Sequence, residues 1–217
     1  MIPVEARWIR RALEELPADR LFPLLNVGSQ DEAFRKSGQP WIDELVFAPL
    51  RYRGGKVTHL DLAAGDGVDM AGDLLDPQVR QGLGETRSVL CANVLEHVLD
   101  RTRFAAALEE IVAPGGYLIV TCPRRFPYHA DPIDTLFRPD PAELAALFPL
   151  LRLQSSAIVG SAMLDYVLRR VWTLLGRGPA KKPLTSSSST RHAFLPWLLR
   201  RIEATCVVLQ KPEKARV

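Results

Sequence analysis

The segment between residues 127 and 138 concentrates side chains suited to polar chemistry. An imidazole, two carboxylates, a phenol and a guanidinium stand close together there: Tyr128, His129, Asp131, Asp134 and Arg138. Imidazole and carboxylate groups are common metal ligands. The two aspartates also flank prolines, where aspartate caps turns and helices, and Arg138 can pair with either of them. Both interpretations stay open from the residues, and we expect no metal here.

The elements that must position this loop alternate between strands and helices. Apolar positions at helical spacing predict helices at 4–16, 103–112, 141–148 and 161–175. Nearly continuous apolar runs predict strands at 21–27, 57–62, 69–74, 88–92, 117–121, 151–159 and 204–210. The connection between the first two strands is polar and contains Gly38, Pro40, Gly54 and Gly55. This order indicates a parallel sheet covered on both faces, with ligands beyond the carboxyl ends of the strands.

Composition narrows the class of protein. The chain has 217 residues, 47% apolar and 24% charged, which is typical of one globular domain. A formal charge of +3 is too small to indicate a nucleic-acid surface, so we expect no such partner. The three cysteines are far apart without a CxxC pair, as expected of core thiols in a reducing cytosol. We expect a cytoplasmic protein without a signal peptide, and charges at 165, 169 and 170 argue against a membrane span.

Two segments carry a family resemblance. They are Cys91-Ala-Asn-Val-Leu-Glu-His-Val98 and, after a predicted helix, Ala113-Pro-Gly-Gly-Tyr-Leu-Ile-Val120. They resemble the fourth-strand and fifth-strand signatures of class I S-adenosylmethionine-dependent methyltransferases, and the Leu-Glu-His-Val turn is similar to the type 11 branch. The resemblance covers roughly residues 20–150. It implies a Rossmann-like α/β fold with a mostly parallel seven-stranded sheet, helices on both faces, an antiparallel last strand, and S-adenosylmethionine as cofactor.

Two segments compete for the glycine-rich turn that approaches the cofactor in this family. Leu60-Asp-Leu-Ala-Ala-Gly-Asp-Gly67 has two nearby glycines, whereas Leu25-Asn-Val-Gly-Ser-Gln-Asp31 has one. In the family the turn precedes the Leu-Glu-His-Val strand by two crossovers, and a crossover unit needs about thirty residues. The stretch from Asp61 to Cys91 holds hardly more than one unit. Residues 26–30 are therefore predicted to form the first turn.

The resemblance then implies a cofactor site. Asp61, at the end of the second strand, would accept both ribose hydroxyls, as a carboxylate does in dinucleotide sites. Asp73 would receive the adenine amino group. The predicted set is Asn26, Gly28, Ser29, Gln30, Asp61, Leu62, Gly72, Asp73, Leu74 and Asn93. Gln30 stands where the family usually has a second glycine, and a side chain there would crowd the methionine moiety.

Two histidines are candidates for the general base. Methyl transfer is an in-line displacement at a sulfonium carbon, so alignment and exclusion of water are its main requirements. For an oxygen acceptor, a neutral imidazole is a suitable base near neutral pH. His97 follows the fourth strand, and His129 lies in the loop where the family places substrate-facing groups. Tyr128, Asp131, Asp134 and Arg138 complete the predicted substrate side.

We expect one domain with three parts. These are an N-terminal helix in 1–18, a cofactor-binding core in 20–150, and a substrate or lid region in 151–217 with a mobile loop at 178–192. The expected reaction is methyl transfer to an oxygen or nitrogen of a small molecule, in secondary metabolism or glycan biosynthesis. The alternatives are a cyclisation or rearrangement in the same cleft, and a non-catalytic module or homodimer that uses the helix 161–175. An NAD-dependent oxidoreductase is disfavoured because no Gly-x-Gly-x-x-Gly turn follows the first strand.

Overall fold

Seven strands form one sheet in the order β3-β2-β1-β4-β5-β7-β6. The computed structural model describes residues 1–84, 86–130, 132–176 and 200–213. The strands are β1 (Leu24–Val27), β2 (Val57–Asp61), β3 (Met70–Ala71), β4 (Ser88–Ala92), β5 (Tyr117–Arg125), β6 (Arg152–Ala162) and β7 (Arg201–Gln210). Strands β1 to β5 are parallel, and β7 is antiparallel to both β5 and β6. The predicted mostly parallel sheet with an antiparallel last strand is confirmed.

Helices cover both faces of this sheet. They are α1 (Pro3–Glu15), α2 (Ala18–Leu21), α3 (Ala48–Tyr52), α4 (Pro77–Gly82), α5 (Arg101–Ile111), α6 (Pro141–Ala146) and α7 (Met163–Gly176). Successive side chains of β4 alternate between the faces, as the pleat requires. Val89 and Cys91 are buried in the cluster that contains Leu108 of α5, whereas Leu90 is buried in the cluster that contains Ile9 of α1. The two apolar layers fix β4 and the turn that follows it.

The connection between β1 and β2 is helical, so its prediction as a polar stretch was wrong. It contains π-helical turns at Phe34–Gly38 and Asp43–Phe47, followed by α3. Ile42, Val46 and Leu50 are buried in the cluster formed with α1. Their spacing of four residues is helical, but Gly38 and Pro40 obscured it in the sequence. The first crossover therefore packs on the sheet.

The predicted element boundaries shift at several ends. The first strand begins at Leu24 because Leu21 belongs to α2. β3 is reduced to two residues, while β5 extends to Arg125 and β7 begins at Arg201. α5 begins at Arg101, after Asp100 accepts a hydrogen bond of 3.0 Å from the Arg103 N–H. The extensions of β5 and β7 carry basic residues to the carboxyl edge of the sheet.

The last described helix, α7, is packed on one side. Met163 is buried, and the ring of Tyr166 contacts those of Trp41 and Phe126. Its large exposed side chains, Leu164, Leu168 and Val171, recur at helical spacing. No helix in the described ranges has the length and apolarity needed to cross a membrane. The predicted mobile loop at 178–192 lies outside the described residues.

Candidate functional site

The turn after β1 joins the end of β2 through backbone hydrogen bonds. β1 lies between β2 and β4, as expected of the first strand. The N–H groups of Gly28 and Ser29 donate to the Leu60 carbonyl at 2.9 and 3.0 Å. The N–H of Gln30 donates to Oδ2 of Asp61 at 2.7 Å. The sheet order thus agrees with residues 26–30 as the first turn and Asp61 as the acid that ends the second strand.

Two residues of this turn have left-handed backbone conformations. Gly28 has φ +70°, and a Cβ atom there would lie 2.4 Å from a methyl carbon of Val94, so the position requires glycine. Gln30 has φ 54° and is exposed. A left-handed non-glycine residue is strained. Gln30 is therefore unusual in the position where the family resemblance predicts a second glycine.

Arg35 ties this turn to the other glycine-rich segment. Its buried guanidinium donates to the carbonyl of Ser29 at 3.1 Å, to that of Gly67 at 2.7 Å, and also to that of Gln30. The two segments that compete in the sequence are thus neighbours in the structure. Arg35 was not predicted because it lies in the crossover that sequence patterns left without a helix.

Asp61 and Leu62 form the rim beside this turn. Asp61 is partly exposed, and its second oxygen lies 3.3 Å from the N–H of Ala63. Leu62 is 72% exposed. A carboxyl group beside an uncovered apolar side chain can bind a ligand that has hydroxyl groups and a ring with one apolar face.

The remaining predicted cofactor residues lie in different environments. Gly72 follows β3 and donates to the Asp61 carbonyl at 2.8 Å. Asp73 is exposed and accepts from the Leu75 N–H at 2.9 Å, whereas the Leu74 side chain is buried in the core. Asn26 is also buried, and its amide nitrogen lies 3.1 Å from Nδ1 of His59. Among these side chains, only that of Asp73 is exposed.

The Glu5 side chain of α1 lies beside the carboxyl ends of β4 and β5, and it was not predicted as a site residue. One of its oxygens accepts from the Asn93 amide at 2.8 Å and from the Thr121 hydroxyl at 2.6 Å. The other accepts from the Ile2 N–H at 3.0 Å. The residue is 1% exposed. The side chain of the predicted site residue Asn93 is therefore hydrogen-bonded to α1 through Glu5.

The two predicted base histidines lie together. The rings of His97 and His129 are 5.1 Å apart at an interplanar angle of 88°. Burial lowers the pKa of His129, which favours the neutral imidazole. Glu96 lies beneath them with 0% exposure, and Nε2 of His97 is 3.7 Å from one of its oxygens. Burial raises the pKa of Glu96 to about 8.

The loop below His129 is held by a buried ion pair. Asp134 accepts from Arg138 at 2.6 and 3.0 Å, from the Leu136 N–H at 2.8 Å and from the His129 N–H at 3.1 Å. Burial opposes ionisation of Asp134, but these hydrogen bonds outweigh it and lower its pKa. Tyr128 is 64% exposed, and Asp131 lies outside the described residues. Asp134 and Arg138 thus form a structural clamp on the predicted substrate side.

A cavity of about 440 Å³ opens beside this loop, at the carboxyl end of β5. Its lining consists of three arginines and four apolar residues: Arg125, Phe126, Pro127, Met163, Arg200, Arg201 and Ile202. The Phe126 ring lies 5.2 Å from that of His129 and connects the cavity to the histidine pair. Glu203 lies 3.6 Å from both Arg125 and Arg201. Sequence reasoning missed the cavity because the predicted strands at 117–121 and 204–210 stopped short of these arginines on either side.

Comparison with known proteins identifies the fold. No family model matches the chain, and no curated protein is similar to it in sequence. A Galdieria sulphuraria protein assigned as a sarcosine dimethylglycine methyltransferase superposes with a TM-score of 0.57 and 10% identity, over 97% of this chain and 86% of that one. The [4+2]-cyclase SpnF gives 0.52 and 14%, over 94% and 82%. A chain of the Haloferax volcanii complex between the Trm112 methyltransferase activator and a methyltransferase gives 0.52 and 16%, over 98% and 92%. The chain has the Rossmann-like fold of class I methyltransferases.

Proposed function

We propose that this chain is an S-adenosylmethionine-dependent methyltransferase that acts on an oxygen or nitrogen of a small molecule. The observation that carries the proposal is the 2.7 Å hydrogen bond from the Gln30 N–H to Asp61. It holds a partly exposed carboxylate at the carboxyl edge of the sheet beside β1, where open α/β sheets bind nucleotides. The fold supports the same cofactor, although fold alone does not fix an activity.

The residues at this edge fit the adenosine half of the cofactor. A carboxylate offers about four acceptor positions, and the hydrogen bonds from Gln30 and Ala63 leave others of Asp61 for a ribose diol. Leu62 would cover one face of the adenine ring. The Asp73 oxygen that does not accept from Leu75 would receive the adenine amino group.

The arginine-lined cavity supports a small acceptor with a negative charge and an apolar part. Three arginines and four apolar residues line the cavity, and the Glu203 carboxylate lies beside Arg125 and Arg201. Guanidinium groups bind carboxylates and phosphates in a bidentate way. We therefore propose a carboxylate or phosphate ester that also carries the hydroxyl or amine to be methylated.

The proposed reaction moves a methyl group from the sulfur of the cofactor to the acceptor atom. S-adenosylmethionine supplies a methyl group on a positively charged sulfur. The acceptor atom forms a bond to the methyl carbon as the carbon–sulfur bond breaks, S-adenosylhomocysteine leaves, and the acceptor loses a proton. His97 and His129 are proposed to activate the acceptor for this loss, because they lie together beside Phe126 at the cavity.

A second candidate is a non-methylating reaction, such as a cyclisation, in the same cleft. Gln30 favours it, because a left-handed residue with a side chain replaces the glycine expected beside the methionine moiety. The likeness to the [4+2]-cyclase SpnF is consistent with this alternative. A protein of this kind would bind the cofactor without consuming it.

Production of S-adenosylhomocysteine tests the proposal. We expect turnover with a member of a panel of hydroxylated or aminated carboxylates and phosphate esters. Arg125→Ala and Arg201→Ala should raise KM by about tenfold, the effect of one lost charge-assisted hydrogen bond, and leave kcat less affected. Arg152→Ala, at the far end of β6, is the matched control. Cofactor binding without turnover on any acceptor would instead favour the second candidate.

A further inference from the structure

Glu96 carries a buried carboxyl group in the turn after β4. It is 0% exposed, and no other described residue donates a hydrogen bond to either of its oxygens. A buried charge is stable when it is paired or bound to a metal. Its nearest described cation candidate is the His97 imidazole, at 3.7 Å. Glu96 thus lacks the partner that its burial requires.

Both neighbouring imidazoles are oriented by hydrogen-bond acceptors. Nδ1 of His97 lies 2.5 Å from the Ile133 carbonyl oxygen. Nδ1 of His129 lies 3.1 Å from the Pro127 carbonyl oxygen and 3.2 Å from Oδ2 of Asp134. An acceptor at Nδ1 keeps the proton on that nitrogen and leaves Nε2 with its lone pair. This is the arrangement of histidines that bind metals, whose second nitrogen donates to a carbonyl or carboxylate.

We propose that Glu96, His97 and His129 bind a divalent transition-metal ion, of which Zn²⁺ is the representative. One ligand atom from each residue lies within 4.8 Å of the other two. Ligands of a tetrahedral zinc ion lie about 3.4 Å apart, given bonds of about 2.0–2.1 Å, so small side-chain rotations close the site. Imidazole and carboxylate ligands suit zinc and its neighbours more than Mg²⁺ or Ca²⁺.

A metal ion at this position would give Glu96 a partner and would explain how the two histidines are oriented. The metal would supply the partner that both carboxyl oxygens of Glu96 lack among the described residues. Asp134 becomes the carboxylate that supports a liganding histidine, and Arg138 holds it in place. No metal was expected from the sequence because the loop at 127–138 alone was considered as a ligand set. Two of the three ligands, Glu96 and His97, lie on the turn after β4, which the fold brings beneath that loop.

With three protein ligands, the fourth metal position is available to an exogenous group. Part of each imidazole is exposed, with side-chain exposures of 18% for His97 and 33% for His129. A metal-bound hydroxyl loses its proton to water more readily than a free one. If the proposed methyl transfer holds, the metal would activate an oxygen acceptor, and the two histidines would act as its ligands.

Metal titration of the full chain tests the site. We expect the apo protein to bind one Zn²⁺ per chain in calorimetry, with Glu96→Gln and His129→Ala each weakening binding more than tenfold. Glu96→Gln replaces a buried carboxyl group that has no hydrogen-bond partner among the described residues with an amide of the same size, so this variant should fold about as well as the parent. Glu109→Gln is the matched control, because Glu109 is also buried but accepts a hydrogen bond from the Leu150 N–H. Its Zn²⁺ affinity should equal that of the parent.

Cobalt substitution identifies the ligands. Co²⁺ in the site should give visible bands of nitrogen and oxygen ligation without the charge-transfer band of thiolates, which excludes the buried cysteines. Absence of Zn²⁺ binding, or equal binding by Glu96→Gln and His129→Ala, would overturn the proposal. S-adenosylmethionine titrated into the same samples separates the two claims. If the protein binds S-adenosylmethionine but not Zn²⁺, the metal site alone is overturned. If it binds Zn²⁺ but not S-adenosylmethionine, the metal site is supported and the proposed function is overturned.

Discussion

The N–H of Gln30 donates a hydrogen bond of 2.7 Å to Oδ2 of Asp61, across the gap between the turn after β1 and the end of β2. The bond fixes the carboxylate, and Arg35 links the same turn to the segment after β2 by donating to the carbonyls of Ser29 and Gly67. Gln30 adopts a left-handed conformation in this arrangement. The backbone of Gln30 thus serves the proposed cofactor site, while its side chain is the group proposed to crowd it.

Two substitutions of Gln30 separate these effects. Gln30→Gly should raise the free energy of unfolding by up to about 1 kcal/mol, because left-handed strain outweighs the added chain entropy of glycine. Gln30→Ala keeps the strain and should not stabilise the fold. Both variants should bind S-adenosylmethionine more tightly, since each removes the crowding side chain. Weaker binding by both in calorimetry would show that the Gln30 side chain is a cofactor ligand.

Glu5 should be a major stabilising residue of the carboxyl edge. Glu5→Ala leaves the Asn93 amide, the Thr121 hydroxyl and the Ile2 N–H without their acceptor. We expect a loss of about 3 kcal/mol in denaturant unfolding, the scale of several orphaned buried donors. Glu14→Ala on the same helix, where the glutamate forms an exposed pair with Arg10, should cost less than about 1 kcal/mol. Equal losses would mean that the Glu5 contacts contribute little.

Acid should destabilise the fold through His59. Burial, with a smaller contribution from Arg35, lowers the pKa of His59 from 6.5 to about 4. The unfolded chain therefore binds a proton at this residue that the folded chain does not, and stability is lost as pH falls from the unfolded towards the folded pKa. Between pH about 7 and pH about 5 the loss reaches up to about 2 kcal/mol.

His59→Gln isolates this contribution. An amide can still accept from Asn26 but does not titrate. Urea unfolding at the two pH values should show a smaller loss in the variant than in the parent. The same loss in both proteins would assign the acid sensitivity to other groups.

The Asp134–Arg138 pair should hold the loop that carries His129. Arg138→Ala leaves a buried carboxylate without its cation, and removal of one partner from such a pair costs about 3 kcal/mol or more. Protease cleavage within the segment 127–138 should accelerate in this variant. Arg103→Ala, exposed on α5, should leave the cleavage rate unchanged. A cleavage rate equal to that of the parent would contradict a clamp at this position.

The fold was largely predictable because buried strands and crossover helices produce apolar runs of distinct period. The number of residues before the Leu-Glu-His-Val turn also favoured residues 26–30 over the segment at 60–67 as the first turn, although the latter has more glycines. The helical crossover that contains Ile42, Val46 and Leu50 was not predicted, because Gly38 and Pro40 interrupt its apolar periodicity. Local breakers thus obscured a helix that tertiary packing stabilises.

The site was less predictable because its contacts join residues remote in sequence. Glu5 meets Thr121 across 116 positions, and periodicity carries no signal for such a contact. Glu96 was noted only as part of the Leu-Glu-His-Val turn, because the sequence pattern does not show that tertiary packing buries it. A charged residue at a buried position of α1, such as Glu5 among the apolar residues of one face, was the available signal for the first contact.

The central claim is that Asp61 and the turn after β1 form an S-adenosylmethionine site, and calorimetric titration of S-adenosylmethionine and S-adenosylhomocysteine tests it most directly. The parent protein should bind both ligands at one site per chain. Asp61→Ala should weaken the binding of both ligands at least about tenfold, since it removes a charge-assisted hydrogen bond to the ribose. The circular dichroism spectrum of this variant should equal that of the parent, which shows that the fold is kept. Asp19→Ala, an exposed aspartate of α2, should bind like the parent. Absence of binding by the parent, or equal affinities for the parent and Asp61→Ala, would contradict the account.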